Sequence, residues 1–133
     1  MDEIKVKPIA TDFYLVSDFA VRILESAECP MKTQTRLEIV IDEVFGNIVK
    51  YSGAESISVS AGVDDSIFTL SFKDNGKPYN PLDVPEPDIE AEFEDRPIGG
   101  LGLFIVKKSM DDVFYEYKDS HNILTIKKKI KGD

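Results

Sequence analysis

Apolar residues recur at two different periods along this chain, and the changes of period divide it into elements. From 12 to 28, Phe13, Val16, Phe19, Ala20, Ile23, Leu24 and Ala27 fall on one face at helical spacing, until "ECPMKTQ" breaks the pattern. A stronger helical pattern follows over 32–51. At about 100° per residue, Leu37, Val40, Ile41, Val44, Ile48 and Tyr51 make one stripe. The period then drops to two. "ESISVSAGVD" and "SIFTLSFKD" alternate and are rich in β-branched residues, which predicts a hairpin over about 56–63 and 66–74, turned at "DDS". A third helix is expected over 100–110. "VFYEYKD" and "NILTIKKKI" then predict a second hairpin across "DSHN". Near the start, "IKVKPI" (4–9) alternates weakly and reads as an edge strand kept short by Pro8. The order β-α-α-β-β-loop-α-β-β, with mostly hairpin connections, predicts an α+β fold with a mixed sheet and helices on one face.

The loop in that order, about 75–98, changes the picture. It carries Pro78, Pro81, Pro85, Pro87 and Pro97, and it is acidic from Asp83 and Glu86 through to Glu94 and Asp95. A loop this long inside a compact domain tends to be a functional lid or disordered. At 133 residues and 42% hydrophobic, the chain reads as one globular domain, 1–133. A net charge of −9 argues against a direct nucleic-acid binder, which needs a basic face. It leaves room for a small polyphosphate, held by backbone N–H groups and Mg²⁺. No stretch reaches the length of a membrane span, and the acidic start has no signal-peptide core. A lone Cys29 permits no internal disulfide, which fits the cytoplasm. With a lone His121 there is also no Cys/His zinc cluster.

Three stretches carry candidate chemistry. On the helix 32–51, Glu43 and Asn47 lie one turn apart beside the apolar stripe, with Lys50 further round. An Asn oxygen is a neutral hard ligand suited to Mg²⁺. A carboxylate one turn away can take a proton from a hydroxyl. "FKDNGKPYNP" (72–81) ends a strand with Asp74, an acceptor for an exocyclic amine. Gly76 follows, where a flat ring can approach the backbone. "IGGLGL" (98–103) crowds Gly99, Gly100 and Gly102 before a helix, as a backbone that must approach phosphate would. Each has a plain reading too: a solvated helix border, an Asp-Asn-Gly turn, a hinge or N-cap. The glycine cluster is neither a Walker P-loop nor a Rossmann fingerprint.

Together the three stretches resemble a known family. "DEVFGNIVKYS" is similar to the N-box, "DNG" to the G1 box and "GGLGL" to the G2 box of histidine-kinase-type (GHKL) ATP-binding domains. "DNGKPYNP", "RPIGGLGLFIVKKSMDDVFYEY" and "NILTIKKK" resemble, more narrowly, the anti-sigma-factor serine kinases of the RsbW/SpoIIAB type, over about 10–130. The resemblance implies a two-layer α/β sandwich with a mixed, mostly antiparallel sheet, three helices on one face, and ATP under a lid. It implies Mg²⁺ on Asn47, Glu43 as general base, and Lys50 near phosphate. It further implies Asp74 on adenine with Gly76 beside it, Gly100 and Gly102 at the phosphates, and Thr125 supporting adenine from the penultimate strand. Implied partners are a STAS-domain anti-anti-sigma protein and a sigma factor, with the kinase a homodimer. Three features depart from the subfamily: Tyr51 stands where a histidine is frequent, Arg22 is out of register with a partner-contacting arginine, and the lid is unusually acidic.

Two functions of different class follow. One is an ATP-dependent serine kinase; the other is a nucleotide-dependent sequestering module without transferase activity. Glu43 favours the first, because a pure binder needs no base. A detached sensor-kinase domain fits poorly, since no helix presents a phosphoacceptor histidine.

Overall fold

A computed structural model describes residues 1–81 and 106–131. Strand β1 (Asp2–Val6) is followed by a short 3-10 turn (Ala10–Asp12), helix α1 (Phe13–Ser26) and helix α2 (Met31–Tyr51). Two hairpins complete the fold: β2 (Ile57–Asp64) with β3 (Ile67–Asp74), and β4 (Asp112–Lys118) with β5 (His121–Lys129). The sheet order is β1-β2-β3-β5-β4. All neighbouring strands described are antiparallel, so the mixed character expected of the sheet is not found among the described residues. The reason lies in the pairing: β4 and β5 form a second hairpin, and β5 docks antiparallel on β3.

Strand alternation puts one apolar face of the sheet against the helices. Ile57, Val59, Ala61, Phe68, Leu70, Phe72, Leu124 and Ile126 are buried there, facing Val16, Ala20 and Leu24 of α1 and the α2 stripe. Phe45 joins that stripe, fully packed, whereas Tyr51 at its end is 37% exposed. Of the expected third helix, residues 106–109 are helical, and Val106 and Met110 reach the same core. Its earlier residues, with Gly100 and Gly102, lie outside the described residues, as does most of the acidic loop.

Local chemistry explains where the elements end. Helix α1 closes with a left-handed Glu28, φ 58°. There the N–H of Cys29 reaches the Leu24 carbonyl and that of Glu28 the Glu25 carbonyl, the paired bonds of a Schellman cap. Both hairpins turn on an Asp-Ser pair with positive φ at each residue: Asp65 and Ser66 (51° and 63°), Asp119 and Ser120 (53° and 63°). This is the mirror-image turn whose twist matches the strands.

Candidate functional site

The last turns of α2 lie over the exit of β3, and a narrow pocket opens between them. Val44, Asn47, Ile48 and Ser52 line it from the helix side, Phe72, Asp74, Tyr115, Asn122 and Leu124 from the sheet, and Tyr79 and Pro81 from the following loop. The pocket is apolar except for a few fixed polar groups, the usual make-up of a small-molecule site.

Asp74 is the anchor. It is 2% exposed, because it shares the inward phase of Phe68, Leu70 and Phe72 on β3. Its Oδ1 accepts the Gly76 N–H at 2.9 Å and the Asn122 Nδ2–H at 3.1 Å. A buried carboxylate held on one oxygen in this way presents the other for a donor such as an exocyclic amine. Gly76 is required by packing. A Cβ there would stand 2.3 Å from the Ser52 carbonyl oxygen. The same carbonyl accepts the Lys77 N–H at 2.9 Å, so the loop is pinned on the end of α2. Backbone against backbone, rather than room for a ring, is what the structure shows at Gly76.

Asn122 was not among the expected residues, yet it ties the pocket together. Its Nδ2 donates to Asp74 and to the Lys77 carbonyl (2.8 Å), and its Oδ1 accepts from the Tyr79 N–H (2.9 Å) and the Tyr115 hydroxyl. The sequence reading treats it as part of a turn. The available signal is its phase: Asn122, Leu124 and Ile126 alternate inward on β5, so the polar member of that series must have buried partners.

Thr125 occupies the opposite phase. It pairs with Ser71 across the ladder and their hydroxyls meet at 3.2 Å on the far face of the sheet, away from Asp74. It also sits on the last strand rather than the penultimate one. The structure thus does not bring Thr125 to the pocket; Asn122 and Leu124 fill that side.

At the helix end, Glu43 and Asn47 come together as their one-turn spacing predicts. Asn47 Nδ2 donates to Glu43 Oε1 at 3.2 Å. Asn47 is 5% exposed and lines the pocket, so it is more deeply set than a polar border. With its amide nitrogen engaged, its carbonyl oxygen is the atom suited to a hard cation. Among the described residues no group of three His, Cys, Asp or Glu is placed to hold a metal. That donor set fits Mg²⁺ better than most ions, because Mg²⁺ is usually carried by one or two protein oxygens together with phosphates and water. Lys50 is exposed on the last turn of α2 and does not line the pocket. Tyr79 stacks on Tyr51, ring centroids 5.5 Å apart. Burial raises the Tyr79 phenol above its ordinary pKa, with Tyr51 and Glu43 adding to the effect.

Comparisons with known proteins bear on the fold and the family. Serine/threonine-protein kinase BtrW of Bordetella bronchiseptica is 27% identical over 122 residues, 88% of this chain and 83% of that protein. The RsbU and RsbW domains of Rv1364c from Mycobacterium tuberculosis superimpose with a TM-score of 0.65 at 11% identity, over 98% of this chain and 32% of that one. This chain therefore spans about a third of that protein. The catalytic domain of histidine kinase ThkA, in a nucleotide-free form, gives a TM-score of 0.56 at 10% identity over 98% of this chain and 97% of that one. At these identities the two structures establish the fold. Among the described residues no helix is long and apolar enough to cross a membrane. Residues 10–128 match the histidine kinase-like ATPase domain, and the chain belongs to that family.

Proposed function

We propose that this chain is an ATP-dependent protein serine kinase that also acts as an anti-sigma factor. It would phosphorylate a STAS-domain anti-anti-sigma protein and, in its other state, sequester a sigma factor, working in the cytoplasm as a homodimer. The observation that carries the kinase reading is the hydrogen-bonded Glu43–Asn47 pair on the turns of α2 beside the Asp74 pocket. The likeness to a serine/threonine kinase and to an RsbW domain supports the partner assignment.

In this reading Asp74 accepts from the adenine amine, and Asn122 and Gly76 keep its carboxylate in place. Asn47 would hold Mg²⁺, which draws charge off the phosphates during transfer. Glu43 takes the proton of the attacking seryl hydroxyl as its oxygen bonds to the γ-phosphorus and ADP departs. Gly100, Gly102 and Lys50 would serve the phosphate end.

A second reading is a nucleotide-dependent sequestering module. It would use the same nucleotide site and need no base at Glu43. Calorimetric titration of ATP, with and without Mg²⁺, into wild type and Asp74→Asn tests the shared nucleotide site. Micromolar, Mg²⁺-dependent binding weakened by Asp74→Asn is expected; no binding by wild type refutes both readings. Phosphotransfer to a STAS protein by wild type and not by Glu43→Ala separates the two.

A further inference from the structure

Asp74 and Asn122 stand directly opposite each other on β3 and β5, both buried and both lining the pocket. What Asn122 presents to Asp74 is decided outside the pair. The Tyr79 N–H can only donate, and it meets Asn122 Oδ1 at 2.9 Å. The Lys77 carbonyl can only accept, and Asn122 Nδ2 donates to it at 2.8 Å. Two backbone groups thus fix which way the amide faces. The remaining Nδ2 proton is directed at Asp74 Oδ1, 3.1 Å away. A flipped amide would set oxygen against the Lys77 carbonyl and the Asp74 carboxylate, and nitrogen against the Tyr79 N–H, which spoils three contacts at once.

The Gly76 N–H donates to the same Oδ1, at 2.9 Å. A carboxylate oxygen has about two acceptor sites, so these two donors fill it. No donor among the described residues reaches Oδ2. Asp74 therefore offers the pocket a single acceptor oxygen. Purines differ at the edge that such an oxygen would meet. Adenine carries one exocyclic amine there, beside a ring nitrogen that accepts. Hypoxanthine and guanine carry a carbonyl in place of that amine, and guanine adds two adjacent N–H donors that match both oxygens of a free carboxylate.

We propose that Asn122 is a specificity-determining residue: by filling Oδ1 it leaves Asp74 one acceptor oxygen, which selects a 6-amino over a 6-oxo purine nucleotide. This rests on the nucleotide reading above and adds to it what rejects the wrong base. A hypoxanthine carbonyl facing Oδ2 finds no donor and loses its bonds to water. Guanine satisfies only one of its paired donors, and the other is left short of a partner. Without the amide, Oδ1 regains an acceptor site on the side where Asn122 stood, and the carboxylate is free to meet two donors.

Calorimetric titration of ATP, GTP and ITP, each with Mg²⁺, into the full chain tests this, using wild type, Asn122→Ala and Asn122→Leu. Wild type is expected to bind ATP more tightly than GTP or ITP by about 10²-fold or more. Asn122→Ala should narrow the preference for ATP over GTP by about tenfold. Asn122→Leu has the shape of the amide without its donors; it should narrow the preference equally, and it carries the test if Asn122→Ala does not fold. The ratio is the telling quantity, because a purely structural brace would weaken all three nucleotides alike. Affinities for ATP and GTP that fall together at an unchanged ratio overturn the specificity role and leave the nucleotide site standing. So does a wild type that binds GTP as tightly as ATP. No binding of any nucleotide to wild type overturns the nucleotide reading, and the specificity role with it.

Discussion

The two ends of the pocket are built to different standards. At the sheet end, Asp74, Gly76 and Asn122 are buried and cross-braced by several hydrogen bonds that span β3, β5 and the loop. At the helix end, Glu43 and Asn47 share one 3.2 Å contact, and Glu43 is half-buried. Recognition of a flat base needs fixed acceptors, whose cost is met by folding. A group that exchanges a proton needs access and some freedom. The difference teaches which substitutions will be felt as instability and which as lost chemistry.

The sharpest separation comes from Glu43→Ala. Phosphotransfer to a STAS protein should fall by about 10²–10⁴-fold, the usual contribution of a general base, while thermal stability barely moves. A large loss of stability in that variant would erase the contrast between the two ends. Asn122→Ala should do the reverse. It leaves the Tyr79 N–H, the Lys77 carbonyl and Asp74 short of partners, and chemical denaturation should show about 2–4 kcal/mol lost. Gly76→Ala sharpens the same point: forcing a Cβ onto the Ser52 carbonyl should cost about 1–3 kcal/mol, with weaker ATP binding because the Asp74 loop shifts. The smallest effect lies far from the pocket. Ser66→Gly relieves a positive φ and should stabilise by about 0.5–1 kcal/mol in the same assay, with nucleotide binding unaltered.

Much of the architecture could be read from periodicity. The α2 stripe, both hairpins and the one-turn pairing of Glu43 with Asn47 follow from spacing that local geometry enforces. Asp74 was legible as a strand-exit acid. Thr125 was placed by resemblance, and strand phase turned it outward: next to Ser71 it is one residue away from the inward series. Asn122 was hidden because an Asn beside a turn is ordinarily explained by the turn itself. Its partners Asp74, Lys77 and Tyr79 lie more than forty positions earlier, and no local pattern announces them. The burial of Asn47 depends likewise on how α2 docks over the sheet beside Tyr79 and Pro81, a tertiary event. Gly76 was singled out for the approach of a ring. Its tight neighbour proves to be the Ser52 carbonyl, a contact visible only once α2 and β3 are docked.

The sheet order also fixes how copies of this chain can meet. Among the described residues β1 and β4 are the outer strands, and both carry exposed charges of mixed sign: Asp2, Glu3 and Lys5 on one, Asp112, Glu116 and Lys118 on the other. Such strands are poor templates for another chain's backbone, since an incoming strand would have to desolvate those charges. Growth of the sheet by strand addition is therefore disfavoured at either of these strands, which keeps the ladder at the length of one chain.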